Sequence, residues 1–247
     1  MRKLIILSLA VVVLFFNACK KSTEDFQTAP ISDYYPLKVG KYITYNLDST
    51  VFLNFGTVMA IHSYQVQHVV DALITDNLGR PAYRIIRYIR KTPADPWVPD
   101  NTFMAVPTDL SMEFIENNFR FVKMRLPISD GYTWKGNTYI DTYSLNSNVK
   151  YLNDWDYTYD SLNLPSKIGL LTIDSTIRID QRDEVIGNPG NPASYSERNI
   201  GIEKYAKGIG MIYRQFLHTE YQPATPGHVA AYADGSYGVK LTMIDHN

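Results

Sequence analysis

Leu110-Ser111-Met112-Glu113-Phe114-Ile115-Glu116-Asn117-Asn118-Phe119-Arg120-Phe121-Val122-Lys123-Met124-Arg125-Leu126 is the stretch that decides the fold. Leu110, Met112 and Phe114 alternate with Ser111 and Glu113. A period of two sends successive side chains to opposite faces of a strand, so one face is apolar and the other polar. Asn117-Asn118 tolerates the positive φ of a tight turn, and Phe119 to Leu126 returns as the second strand of a hairpin.

The same logic extends in both directions. Tyr42, Thr44 and Tyr45 open a β-rich run to Leu53. From His62 to Thr75, the even positions Tyr64, Val66, Val70 and Ile74 form an apolar face, Asp76-Asn77-Leu78-Gly79 is a turn, and Tyr83 to Lys91 returns. Pro93, Pro96 and Pro99 around Trp97 predict an exposed loop over 92–102. Further strands are expected at Tyr139 to Leu145, Lys150 to Tyr159, around Ile173, Ile177 and Ile179, at Glu197 to Tyr205, from Met211, and at Val239 to Met243. The sum is about eleven strands, with no long amphipathic helix between them. The expected fold is all-β and antiparallel, a strongly curved sheet or barrel whose edges are protected.

Composition narrows the function classes. The formal net charge is −1 and no Lys/Arg stripe is present, which argues against a nucleic-acid partner. Hydrophobic residues make up 45%, enough for a proper core, and 19 tyrosines suit strands as well as binding surfaces.

The N-terminus has a different character. Arg2 and Lys3 precede an apolar run from Leu4 to Phe16 that contains one polar residue, Ser8, and Asn17-Ala18-Cys19 follow. This is the layout of a secretory signal peptide, and the run is shorter than the roughly 20 residues that cross a bilayer. Cys19 is the one cysteine, so it has no disulfide partner in an oxidising compartment. Phe16-Asn17-Ala18-Cys19 resembles the lipobox of bacterial lipoproteins. That resemblance implies cleavage after Ala18 and lipid attachment at Cys19, and Lys20 then implies the outer membrane. The expected organisation is a signal peptide over 1–18, a flexible tether over 19–33 and one β-rich domain over 34–247.

Three segments carry a broader likeness: Tyr35-Pro36-Leu37-Lys38-Val39-Gly40, Asp174-Ser175-Thr176-Ile177, and Glu203-Lys204-Tyr205-Ala206-Lys207-Gly208-Ile209-Gly210-Met211-Ile212-Tyr213. Together they resemble outer-membrane lipoproteins of the Bacteroidetes type, a group without an assigned activity. The likeness implies a place in the cell envelope and transfers no catalytic residue. In the last segment, Gly208 and Gly210 allow a sharp turn between two strands without a Cβ clash.

Chemical motifs are scarce. His62, His68, His218, His228 and His246 show no metal-ligand spacing. Six residues along a strand separate His62 from His68 by about 20 Å, too far to share an ion. Asp154, Asp156 and Asp160 fall on one strand face, but the glycine of a calcium loop is missing and a solvated face is the plainer reading. Trp155, Tyr157 and Tyr159 occupy the opposite face, as core or as a ligand-facing aromatic strip. No nucleophile elbow or phosphate-cradling loop occurs, and no metal or cofactor is expected. The expectation is therefore a non-enzymatic, membrane-tethered binding or structural module. A hydrophobic ligand would be held as in lipocalin-like and lipoprotein-carrier folds, an analogy at the level of fold. The alternative is a glycan-binding or glycan-processing accessory protein, suggested by Trp97, Trp134, Trp155 and the tyrosines.

Overall fold

A computed structural model describes residues 28–247. The expected signal peptide, Cys19 and the first part of the tether lie outside the described residues. Among the described residues the chain forms one short α-helix, α1 (Ile31–Tyr34), and thirteen strands. These are β1 (Tyr42–Leu53), β2 (Val58–Thr75), β3 (Pro81–Arg90), β4 (Val98–Pro107), β5 (Ser111–Glu116), β6 (Phe119–Arg125), β7 (Thr133–Lys135), β8 (Asp156–Ile168), β9 (Leu171–Gly187), β10 (Ser196–Ala206), β11 (Gly210–Gln222), β12 (Ala231–Tyr232) and β13 (Tyr237–His246).

All pairings are antiparallel, in the order β6-β5-β4-β3-β2-β1-β13-β11-β10-β9-β8-β7, with β12 on the side of β11. Apart from β12 and the break between β6 and β7, which stand at the two ends of the order, each strand pairs with its neighbour in sequence, and β13 returns to β1 over Ile43 to Thr50. This is an up-and-down meander bent round until its ends meet. At the seam, the Val122 N–H of β6 donates to Gly136 O just beyond β7 (2.8 Å), and Trp134 Nε1 donates to Val122 O (2.7 Å). Near closure hides all but a short stretch of sheet edge.

A circular barrel of twelve strands is wider than side chains alone can fill, a limit met near eight strands. Here the ring is bridged across its interior. Arg214 on β11 reaches Glu116 on β5, six places away in the strand order. Large aromatics occupy much of the remaining interior: Trp134, Trp155, Tyr157, Tyr159, Tyr205, Phe114 and Phe216 belong to one buried cluster with Ile31 and Tyr34. A second cluster gathers Tyr45, Leu47, Val66, Leu241 and Met243.

The hairpin that opened the reading is present as β5 and β6, with its turn at Asn117 (φ +51) and Asn118 (φ +65). Three expectations need correction. Residues 98–107 form β4 although the proline-rich stretch was expected to be a loop. Pro99 fits because the register shifts there: Tyr88 opposes Pro99, Arg87 opposes Asn101, and Asp100 bulges out to pair with Arg87. Residues 139–145 and 150–155 are not strands but part of the long β7–β8 connection, with a 3-10 turn at Lys150–Leu152. Asp154, at φ +58, breaks the extended backbone, so β8 begins only at Asp156. The packed chain also begins before Tyr34. Ile31 is buried, Thr28 Oγ1 accepts the Ile128 N–H (2.8 Å), and Gly208 N–H donates to Asp33 O (2.7 Å).

Candidate functional site

The N-terminal segment folds over one end of the barrel. Below it lies a cavity of about 70 Å³. Its roof is Tyr35, Pro36 and Leu37, and its apolar wall includes Ile43, Val70, Ile85, Phe114 and Met211. Gly208 (φ +75) and Gly210 (φ +115) make the β10–β11 turn beside it. A side chain at 210 would crowd Ile43, since a Cβ there would lie 3.1 Å from Ile43 Cδ1.

Four charges form the floor. Arg214 Nη1 and Nη2 each lie 2.7 Å from an oxygen of Glu116, the planar two-bond fit that guanidinium and carboxylate share. Lys123 Nζ donates to Glu203 Oε1 at 2.6 Å and lies 3.7 Å from Glu116. Arg214 Nε is 3.6 Å from Glu203, and Tyr205 Oη donates to the second Glu203 oxygen at 2.8 Å. Two anions and two cations thus neutralise one another away from water. Burial alone would raise the Glu116 carboxyl, but Arg214 and Lys123 outweigh it and hold the group at about 2. Burial, together with the Glu203 carboxylate, pushes the Tyr205 hydroxyl well up.

His68 faces this cluster between Tyr45 and Phe103, with ring centroids at 5.1 and 5.3 Å. Burial, reinforced by Arg87, depresses it to about 3, so it is neutral at physiological pH. Its Nε2 is buried and has no hydrogen-bond partner among the described residues. Buried polar atoms are usually satisfied. This one is therefore a free valence in the cavity wall.

The aromatic strip lies elsewhere. Trp155, Tyr157 and Tyr159 are all buried, at 1%, 1% and 0% exposure. Trp155 packs on Phe216 (5.4 Å), and Trp134 lies against Tyr159 (4.7 Å). The Tyr157 hydroxyl donates to Asn137 Oδ1 and that of Tyr159 to Arg125 O. These rings fill the barrel and offer no open stacking surface. Trp134 is buried too, and Trp97 is covered by the Arg90 guanidinium at 4.2 Å. Asp156 pairs with Lys135 (2.7 Å) and Asp160 lies 3.6 Å from Arg178. Among the described residues no group of three His, Cys, Asp or Glu side chains is placed to hold a metal.

At the other end of the barrel, a cleft of about 590 Å³ is lined by Lys150, Tyr151, Arg182, Glu184, Glu197 and His218, among others. Tyr151 stacks on His218 with centroids 3.7 Å apart, and His218 Nδ1 is 2.8 Å from Asn199 Oδ1. The Asn199 amide donates to both Glu184 and Glu197.

The cavity-floor residues escaped the sequence reading, although a signal was present. Glu116 continues the parity of Met112 and Phe114, and Lys123 that of Phe119 and Phe121. A charge on the apolar face of a strand marks either a mouth or a buried pair. Comparison with known proteins returns no matching family model, no matching curated protein and no matching solved structure.

Proposed function

We propose that this is a non-enzymatic binding lipoprotein of the cell envelope, held to the outer membrane through Cys19, whose site is the cavity under the N-terminal segment and whose ligand is a small hydrophobic molecule or the end of an apolar chain. The observation that carries the reading is the make-up of that cavity. Its walls are aliphatic and aromatic, the four floor charges are spent on one another, and Lys41, the fifth charged residue of the lining, donates to Gly208 O and Asn247 O, so the surface left for a ligand is mostly apolar with His68 as a polar contact. Ligand sites are mostly apolar with a few placed polar groups, and barrel mouths are a common location.

Position supports the same reading. Nine residue steps separate Cys19 from Thr28, a reach of at most about 30 Å. A lipid at Cys19 would keep this end of the barrel close to the bilayer. A volume of about 70 Å³ is below the usual range for a whole drug-sized ligand, which starts near 300 Å³. Taking up a longer chain therefore requires Tyr35 and Leu37 to move aside.

The test is titration of the membrane-extracted protein with a fluorescent fatty-acid analogue. Saturable binding is expected, weakened at least tenfold by Leu37→Trp, which fills the space under the roof, with an unchanged circular-dichroism spectrum. Absence of saturable binding, or equal affinity in the Leu37→Trp protein, overturns the reading.

A further inference from the structure

The β1–β2 hairpin projects beyond its neighbours. β2 pairs with β1 along Val58 to Val69, but its pairing with β3 stops at Gln65 opposite Arg90. On the β3 side, Val58 to Tyr64 therefore have no strand partner among the described residues. The Ser63 carbonyl points that way, since Lys91 Nζ takes it at 3.2 Å. Along a strand, alternate residues turn both backbone groups to the same side. Ile61 and Met59 accordingly direct two N–H and two C=O groups outward, with no partner strand among the described residues to receive them.

Natural sheet edges are normally blunted by lysine, proline or a bulge. This one has none of these from Val58 to His62. Met59 is 56% exposed and Ile61 63% exposed, and Phe55 at the hairpin tip is 98% exposed. The edge carries no charge and ends in a positive-φ turn, Asn54-Phe55-Gly56.

We infer that this edge is an interface between two copies of the chain, which pair antiparallel through Val58–His62. The edge is self-complementary in one register. With Ala60 on the twofold axis, Met59 opposes Ile61 of the second copy, and Ile61 opposes its Met59. Both outward residues of each copy then exchange N–H and C=O, giving four backbone hydrogen bonds. Ala60 meets its copy as a non-hydrogen-bonded pair, the closer-spaced kind, with Cα atoms about 4.5 Å apart. The smallest side chain of the segment thus sits where room is least. The Met59–Ile61 pairs cover the exposed apolar surface, and no like charges face each other. Such an interface is isologous and closes on itself, as twofold dimers do.

The experiment is oxidative cross-linking of the full chain in membranes, independent of any ligand. Ala60→Cys places two thiols at a separation a disulfide spans, where Cα atoms lie about 4.4–6.8 Å apart. A species of twice the mass on a non-reducing gel is expected from Ala60→Cys, and none from the wild-type chain or from Leu73→Cys, which is exposed on the β3-paired part of the same strand. Adding Ile61→Lys to Ala60→Cys should reduce the cross-linked fraction at least fivefold, because the lysine loses its apolar contact with Met59. Ile61 is exposed in the single chain, so this substitution leaves the thermal midpoint of the fold in place. Failure of Ala60→Cys to cross-link, equal cross-linking by Leu73→Cys, or a product of any other mass would overturn the inference.

Discussion

Replacing Arg214 by leucine is the most direct probe of the bridged barrel. Arg214 supplies two 2.7 Å hydrogen bonds to Glu116 and is the closest cation to it. Its loss leaves Glu116, whose side chain is 11% exposed, with Lys123 at 3.7 Å as its remaining ionic partner. Breaking a buried pair from one side costs about 3–5 kcal/mol, because the other charge stays buried without compensation. The carboxyl's own displacement gives a similar figure. A group held at about 2 instead of its ordinary 4.5 contributes about 3 kcal/mol at neutral pH. The folded value is depressed, so this contribution is complete above about pH 4.5 and is lost as pH falls through about 2. The Arg214→Leu protein should therefore lose about 3–5 kcal/mol at pH 7, read from urea unfolding midpoints with the slope unchanged. Its deficit should shrink on acidification towards pH 4, where the stranded carboxyl protonates. Adding Glu116→Leu should restore part of the loss, since the buried charges that remain, Lys123 and Glu203, are paired with each other. A deficit below about 1 kcal/mol, or a double variant less stable than the single one, would refute the bridging role.

Two further outcomes are expected. His68 is held neutral down to about pH 3, whereas an unfolded histidine takes up a proton near 6.5, so stability should fall as pH drops from 6.5 towards 3. His68→Phe should flatten that part of the stability curve, and an unchanged slope in this variant would dismiss the assignment. Cys19→Ser should move the protein from the membrane to the soluble fraction and remove an acyl mass from the mature N-terminus, as seen by intact-mass measurement. Unaltered membrane retention would remove the anchor.

How much of this was legible in the chain differs from element to element. The β5–β6 hairpin could be read residue by residue, because alternation and the Asn117-Asn118 turn are local properties. The β2–β3 turn at 76–79 and the glycine corner at 208–210 were equally plain. β4 was hidden because proline density argues against a strand, and only the bulge opposite Arg87 and Tyr88 admits Pro99. Glu113 falls on the polar face of the alternation over 110–116. It is 3% exposed, held between Arg80 and Arg120 from the neighbouring turn and strand, contacts that no spacing in the sequence announces.

Local chemistry therefore determined the strand content, the turn positions and the leader-like character of the first residues, since periodicity and turn propensity act over a few neighbours. Which end of the ring carries a cavity, which charges meet across it and which strand edge stays unpaired depended on closure. Glu116 and Arg214 are 98 residues apart in the chain and come within hydrogen-bonding distance only because the meander curls back on itself. Closure also turned Trp155, Tyr157 and Tyr159 inward, as a ring of twelve strands has to be filled from within.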